Sequence, residues 1–167
     1  SQYNSFIHFG LTSQDINNTA LPLMIRDAIE NTYDSSIENI MKNLSKKIAE
    51  WKDVVIISKT HGQPATPTTF GKELRVFTYR IRKQLNMLKK TSYYGKMGGA
   101  TGNLNAHICA YPDVNWQEFM ETVLKKFGLL RNKYTTQIDN YENLSTIFDN
   151  LKRIATELGE NMTDDEI

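Results

Sequence analysis

The sequence has only one cysteine, Cys109, in 167 residues. A lone cysteine cannot form a disulfide within its own chain, and no charged leader with an apolar run and a cleavage site opens the sequence. Long apolar runs are missing too, since no uncharged stretch approaches the roughly 20 residues of a membrane-spanning helix. We therefore expect a protein of the reducing cytoplasm that has no membrane partner.

An excess of charge of one sign is likewise missing, because 20 Lys and Arg stand against 19 Asp and Glu, for a formal net charge of +1. We expect no strong overall field that would recruit nucleic acid or a membrane. A basic run on one predicted helix, at positions 80–90, lacks the interleaved aromatic residues of a single-strand reader. This run favours a solvated helix face, and we predict no nucleic-acid partner.

Three stretches carry apolar residues at spacings of three and four, which is typical of amphipathic helices. The first helix is predicted over most of residues 14–50, with a bend near residues 31–34, where helix propensity is poor. A shorter helix is predicted from about Trp116 to Phe127, ending at Gly128. The three apolar stripes are Ile37, Met41, Leu44, Ile48 and Trp51; Phe70, Leu74, Phe77, Ile81, Leu85 and Leu88; and Leu144, Ile147, Leu151, Ile154 and Leu158.

These patterns predict an all-α fold, a long-helix bundle that forms a single domain over residues 1–167. The glycine-rich stretch 95–113 is predicted to be an irregular or hairpin-like connection, and residues 133–138 a short extended segment. The glycines match neither the phosphate-loop nor the dinucleotide-binding pattern. Long stripes in one chain leave apolar edges in water, so we expect neighbouring subunits to cover them.

An isolated histidine, His61, lies between the apolar run Val54–Ile57, expected to be buried, and the second long helix. Pro64 and Pro67 restrict the backbone and delay the start of that helix, which Thr68 or Thr69 is expected to cap near residue 70. Histidine changes charge near neutral pH, so a held imidazole is a candidate for proton transfer. The alternative is a turn histidine that only hydrogen-bonds to the backbone.

The segment before the first helix is a second candidate site. Thr12 and Asp15 have the spacing of a capping box, and the hydroxyls of Thr12 and Ser13 join a helix N-terminus that favours anions. The alternative is that Thr12 or Ser13 only caps the helix. His8 and His107 are weaker candidates, because isolated histidines beside apolar residues are more often structural. No pair has the spacing of metal ligands, and we predict no metal site.

Five segments along the chain form a specific combination when they are taken in order. They are Thr12-Ser13-Gln14-Asp15, residues 59–69 from Lys59 to Thr69, Gly71-Lys72-Glu73-Leu74, Gly102-Asn103-Leu104-Asn105-Ala106-His107 and Thr135-Thr136-Gln137-Ile138. Together they resemble adenylosuccinate lyases, closest to the bacterial-type branch, within the fumarase and aspartase superfamily. The resemblance runs nearly end to end, and the ordered combination is more specific than any one segment.

The resemblance implies a β-elimination without a cofactor, which releases fumarate from adenylosuccinate to give AMP, and from the succinyl-carboxamide ribotide of purine synthesis. His61 matches the general acid that protonates the departing nitrogen. Thr12, Ser13, Thr60 and Gln137 match substrate-binding positions, and His8 remains a possible one.

The resemblance also implies what this chain does not contain. Family members are longer, and we expect an internal fragment, the central helical domain, that ends before the loop with the catalytic serine base. The N-terminal and C-terminal domains of the family are also expected to be absent. The superfamily forms homotetramers whose active sites collect residues from three chains, so the fragment alone is expected to be inactive. The alternatives are a purely structural oligomerisation scaffold and another fumarate-releasing lyase of the superfamily.

Overall fold

The structure is a computed structural model that describes residues 2–160. The end of the predicted fragment, residues 161–167, lies outside the described residues. The helices are α1 (Ser13–Ala28), α2 (Asp34–Glu50), α3 (Phe70–Lys89), α4 (Asn105–Ala110), α5 (Trp116–Lys126) and α6 (Glu142–Glu160), and the strands are β1 (Val55–Thr60), β2 (Gln63–Thr69), β3 (Tyr94–Gly95) and β4 (Leu130–Arg131). The predominantly helical fold agrees with the prediction.

The chain divides into two compact units. Of the described residues, unit 1 contains 2–29 and 92–146, and unit 2 contains 30–91 and 147–160. Where the chain passes from one to the other, α1 and α2 are joined by a π-helical turn, Ile29–Tyr33. This turn lies within the predicted long helix and at its predicted bend. Among the described residues, no helix is both long enough and apolar enough to cross a membrane.

Unit 2 buries part of each predicted apolar stripe, namely Ile37, Met41 and Ile48 of α2, Ile81, Leu85 and Leu88 of α3, and Ile147 and Ile154 of α6. Ile81, Leu85 and Ile154 are fully buried at its centre. Helix α3 is joined to α2 by hydrogen bonds from the Arg82 guanidinium to the Glu38 carboxylate, one of them 2.8 Å long. These contacts confirm the helical periodicity on which the bundle prediction was based.

An antiparallel hairpin of β1 and β2 precedes α3, with Val55 opposite Thr69 and Thr60 opposite Gln63. The side chain of Thr69 caps α3 by accepting a hydrogen bond from the Lys72 N–H, as predicted. The expectation that Val54–Ile57 is buried is wrong, because Val55 is 70% exposed. Apolar β-branched residues suit a strand even where no second layer covers it, and this sheet has two strands.

Unit 1 has its own hydrophobic core, in which Trp116, Met120 and Leu124 of α5 are buried. Helix α5 starts after Asn115, whose side chain accepts from the Glu118 N–H, and ends before Gly128 in a left-handed conformation, as predicted. Strands β3 and β4 pair in parallel.

Two connections differ from the sequence-based predictions. The glycine-rich connection is irregular up to Leu104, but then contains the short helix α4, which its few apolar residues did not indicate. Residues 133–138 were predicted to be extended, and this is wrong: they form a series of bends without a strand partner. Side-chain hydrogen bonds, described below, take the place of strand pairing in this loop.

Candidate functional site

His61 lies at the tip of the β1–β2 hairpin and is exposed to solvent. His61 and Gly62 form a two-residue turn in which both have positive φ, +52° and +73°. A type I′ hairpin turn requires positive φ at both central positions, and histidine adopts it less readily than glycine or asparagine. Within the described residues, the His61 imidazole makes no hydrogen bond or ion pair, so the backbone-bonded alternative finds no support.

The hairpin holds this turn in place through its strands. Thr60, which precedes His61, pairs with Gln63, and Lys59 pairs with Pro64. Further from the turn, the Ser58 hydroxyl of β1 donates a 2.6 Å hydrogen bond to the Thr66 carbonyl of β2. Thr60 is exposed next to His61. The predicted pair of Thr60 and His61 is therefore presented together at the outer end of a paired element.

Thr12 and Ser13 lie at the N-terminus of α1, with Thr12 half-buried and Ser13 exposed. The Asp15 carboxylate accepts hydrogen bonds from the Thr12 N–H at 2.9 Å and from the Thr12 hydroxyl at 3.1 Å. The predicted capping-box spacing thus corresponds to an actual contact. Because the Thr12 hydroxyl donates to Asp15, the Ser13 hydroxyl is the freer donor of the two.

Asp15 and Lys96 form a buried ion pair of 2.7 Å, and their side chains are 1% and 0% exposed. The Asp15 Oδ1 also accepts from the N–H groups of Gly98 and Gly99, at 3.0 and 3.2 Å. Burial raises the pKa of Asp15, but the hydrogen bonds from Lys96, Gly98 and Thr12 outweigh burial and lower the pKa below its ordinary value. One carboxylate thereby ties the start of α1 to the glycine-rich connection.

Lys96 was not predicted from the sequence to have a buried partner. The backbone of Lys96 is also held by α1, since its N–H donates to the Asn18 carbonyl and its carbonyl accepts from the Thr19 hydroxyl. Pro22, four residues after Asn18, has no N–H to occupy that carbonyl, which leaves it free for Lys96. The available signal was a polar stripe at helical spacing on α1, Asp15, Asn18 and Thr19, which are all buried. A buried polar stripe requires polar partners.

The two weaker histidines differ in their surroundings. His107 is buried, with Nε2 within hydrogen-bond distance of the Gly10 carbonyl and its ring edge-on to Trp116. This environment agrees with the structural alternative. His8 is exposed in the turn before Thr12, and its carbonyl accepts from the Leu11 N–H.

Gln137 is exposed in the loop between β4 and α6. The two residues before it, Thr135 and Thr136, turn their carbonyl oxygens toward Gly102, where a Cβ atom would lie 2.1 Å from the Thr135 oxygen. Gly102 also has φ +82°, so only glycine fits this contact without strain. The glycine-rich connection therefore contacts the Gln137 loop through Gly102 and the start of α1 through Gly98 and Gly99.

The predicted site residues divide between the two units. His8, Thr12, Ser13 and Gln137 belong to unit 1, and Thr60 and His61 belong to unit 2. In unit 1, the glycine-rich connection links the segments that carry Thr12, Ser13 and Gln137. Among the described residues, no cluster of three His, Cys, Asp or Glu side chains is arranged to hold a metal ion.

Comparison with known proteins gives relatives over most of the chain. This chain is 47% identical over 155 residues to the adenylosuccinate lyase of Dictyostelium discoideum. The aligned region covers 90% of this chain and 33% of that protein. The chain is 39% identical over 153 residues to the adenylosuccinate lyase of Escherichia coli strain K12, with 92% and 34% covered. The chain thus spans about a third of the length of these relatives, and the predicted resemblance is confirmed.

The fold has relatives among solved structures as well. A fumarate lyase from Mesorhizobium sp. BNC1 superimposes with a TM-score of 0.80 at 23% identity, over 96% of this chain and 37% of that one. A family model described as lyase matches residues 1–164. On this match, which extends over nearly the whole sequence, the chain belongs to the lyase family.

Proposed function

We propose that this chain is part of an adenylosuccinate lyase, which releases fumarate from adenylosuccinate to give AMP. The same elimination would act on the succinyl-carboxamide ribotide of purine synthesis. The observation that carries the proposal is His61, which is exposed at the tip of the hairpin with its backbone in the left-handed region. The chain that carries it is 37–47% identical to adenylosuccinate lyases over about nine-tenths of its length. Backbone strain of this kind is concentrated at functional sites.

In the proposed reaction, a base removes a proton from the succinyl carbon next to a carboxylate, and the C–N bond then breaks. His61 donates the proton that the departing nitrogen requires. General acid catalysis of this kind typically contributes about 10²- to 10⁴-fold to the rate. A hairpin tip suits this role, because the exposed imidazole is accessible to a substrate.

The start of α1 is proposed to bind a succinyl carboxylate. The first N–H groups of a helix have no carbonyl partner within the helix, and the helix dipole favours an anion there. The Ser13 hydroxyl is exposed beside them, while the Thr12 hydroxyl is engaged by Asp15. We therefore assign direct contact to Ser13 and a supporting role to Thr12, with Gln137 and Thr60 as further substrate contacts and His8 as a possible one.

A spectrophotometric assay of fumarate release tests the substrate. The complete polypeptide that carries this chain is expected to release fumarate from adenylosuccinate, and not from argininosuccinate. Release from argininosuccinate, or conversion of malate alone, would assign the protein to another lyase of the superfamily. The isolated residues 1–167 are expected to be inactive, because the catalytic base is proposed to lie outside them.

A structural oligomerisation scaffold is the second candidate, favoured by the apolar residues exposed on unit 2. Ile40, Val76, Tyr79, Met87 and Phe148 are each at least 39% exposed on its helices.

We propose that further subunits cover these faces in a homotetramer located in the cytoplasm, where the exposed thiol of Cys109 remains reduced. Mass measurement by light scattering tests the tetramer, and the activity assay separates an enzyme from a mere scaffold.

A further inference from the structure

The loop of residues 132–141, here called the glutamine loop, carries Gln137 and is closed by a buried pair of side chains. The Asn132 amide donates a hydrogen bond of 2.5 Å to Oδ1 of Asp139. Both side chains are more than nine-tenths buried. Gln137, between them in sequence, is exposed.

Each member of the pair is also fixed to the surrounding structure. The Asn132 N–H donates to the Gly95 carbonyl of β3 at 3.0 Å, and its side-chain oxygen accepts from the Asn143 amide of α6 at 3.5 Å. The second Asp139 oxygen accepts from the Tyr141 N–H at 2.9 Å. The Tyr141 carbonyl in turn accepts from the first turn of α6. The pair therefore ties both ends of the glutamine loop to regular elements.

Between these ends the glutamine loop makes few contacts of its own. The Asn140 amide bonds to the Tyr134 carbonyl, and the Thr135 and Thr136 carbonyls face Gly102. With no strand or helix in this segment, the backbone at Gln137 depends on the ends for its position. Asp139 is only two residues from Gln137, so its hydrogen bonds restrain the backbone next to Gln137.

We propose that Asn132 and Asp139 are positioning residues, which set the Gln137 amide for substrate binding without touching the substrate. This inference rests on the proposed function, in which Gln137 contacts the substrate. It predicts that substrate binding requires the hydrogen-bonded pair, but not that the amide is at position 132 and the carboxylate at position 139. A pair in which the carboxylate and the amide exchange places would serve equally well.

Three variants of the complete polypeptide test the pair. Asp139→Asn replaces one of the two accepting oxygens with an NH2 donor, which then faces either the Asn132 amide or the Tyr141 N–H, itself a donor. Asn132→Asp places two carboxylates against each other in a buried site. In the exchanged double variant, the new amide at position 139 donates to the new carboxylate at position 132, and its oxygen still accepts from Tyr141.

The expected result is a rise in KM for adenylosuccinate of about tenfold in each single variant, the scale of one lost hydrogen bond to a charged group. The exchanged pair returns KM to near the wild-type value. In a Gln137→Ala background the single substitutions have little further effect, because residues acting through one another are not additive. Amide hydrogen exchange at residues 133–138 is expected to accelerate in the single variants and to recover in the exchanged pair.

Two results would overturn the positioning role while leaving the proposed function intact. In the first, the wild-type protein turns over adenylosuccinate, but the exchanged double variant has a KM as high as that of the single variants. The other is full additivity with Gln137→Ala. A wild-type protein that does not turn over adenylosuccinate overturns the proposed function, and with it the substrate role of the pair.

Discussion

At the scale of single residues, the ion pair of Asp15 and Lys96 is almost wholly out of water. Its charges are satisfied by five hydrogen bonds to the Asp15 carboxylate and one from Lys96 to the Gly99 carbonyl at 2.7 Å. Charges buried in this way are tolerated only when they are fully paired. Removing one member would therefore destabilise the fold chiefly because the other would remain as an unpaired buried charge.

Substitution Lys96→Met, which keeps the length of the side chain, is predicted to lower the free energy of unfolding by about 3–5 kcal/mol, because it leaves Asp15 charged and buried. Urea unfolding followed by circular dichroism measures the change. Lys133→Met is the matched control in unit 1, since the Lys133 side chain is 67% exposed and its ion pair with Glu121 spans 3.7 Å. Equal effects of the two substitutions would contradict the account.

The lowered pKa of Asp15 predicts a dependence of stability on pH. A carboxyl whose pKa is lower in the folded than in the unfolded state stabilises the fold fully above its unfolded pKa, about 3.9 for aspartate, and loses this contribution as pH falls below it. Asp15→Asn removes this proton linkage. The free energy of unfolding, measured from pH 7 to pH 3, should therefore fall less steeply with acidification in the variant. Parallel curves would be evidence against the lowered pKa.

Glu38 offers a contrast on the surface of unit 2. The Arg82 hydrogen bond, with a further one from Lys89, lowers the Glu38 pKa to about 2, although burial opposes it. The Glu38 side chain is 39% exposed, so solvent screens the interaction. We predict that Glu38→Gln costs no more than about 1 kcal/mol in the same urea experiment. A loss as large as that of Lys96→Met would contradict this distinction.

At the residue level, the proposed site rests on sequence motifs. Thr12, Ser13 and His61 were proposed because their neighbours restrict the backbone or start a helix. Lys96, Asn132 and Asp139 were not, because their partners are 81 and 7 residues away and no local periodicity reports such contacts. Buried polar pairs of this kind depend on tertiary structure, which spacing along one chain does not encode.

At the scale of elements, two glycines are required for different reasons: one because a Cβ atom would clash with the backbone, the other only because its φ is positive. Gly102 and Gly62 both have positive φ, but a Cβ at Gly102 would meet backbone oxygens at 2.1 and 2.7 Å, whereas one at Gly62 would meet nothing within 4 Å. The two sites therefore form a matched pair for a glycine-to-alanine comparison.

Gly62→Ala is predicted to cost about 1–2 kcal/mol of unfolding free energy, the strain of a left-handed alanine. Gly102→Ala should cost more, since it must also displace Thr135 and Thr136, and under the proposed function it should raise KM by moving Gln137. Urea unfolding and steady-state kinetics measure both effects. A Gly102→Ala variant no less stable than Gly62→Ala would contradict the close contact.

Helices were predicted far better than the connections between them. The stripes of α2, α3 and α6 extend over several turns, so the helical period is clear, and Thr69 and Gly128 marked helix ends through capping chemistry. The hairpin was read only as a turn, because Val54–Ile57 is a continuous apolar run and residues 63–69 are mostly polar, so neither strand alternates apolar with polar residues. Helix α4, six residues long, is too short for a periodic pattern.

At the scale of the whole molecule, the hairpin is the element that links the fold to the proposed chemistry. A two-stranded hairpin is marginal in water on its own, and Val55 and Ile57 leave apolar surface exposed on it. Covering subunits in the proposed tetramer would stabilise it and bring His61 to a shared site. The wild-type polypeptide should therefore run as a tetramer in light scattering, and a monomer with full activity would contradict this arrangement.

The most direct measurement is the turnover of adenylosuccinate by the complete polypeptide carrying His61→Asn. Asparagine followed by glycine is a favoured sequence for a turn with positive φ at both positions, so the hairpin should be kept while the imidazole is lost. We expect kcat to fall by about 10²- to 10⁴-fold, while the free energy of unfolding and the oligomeric state stay unchanged. A kcat equal to that of the wild type would contradict the assignment of His61 as the general acid.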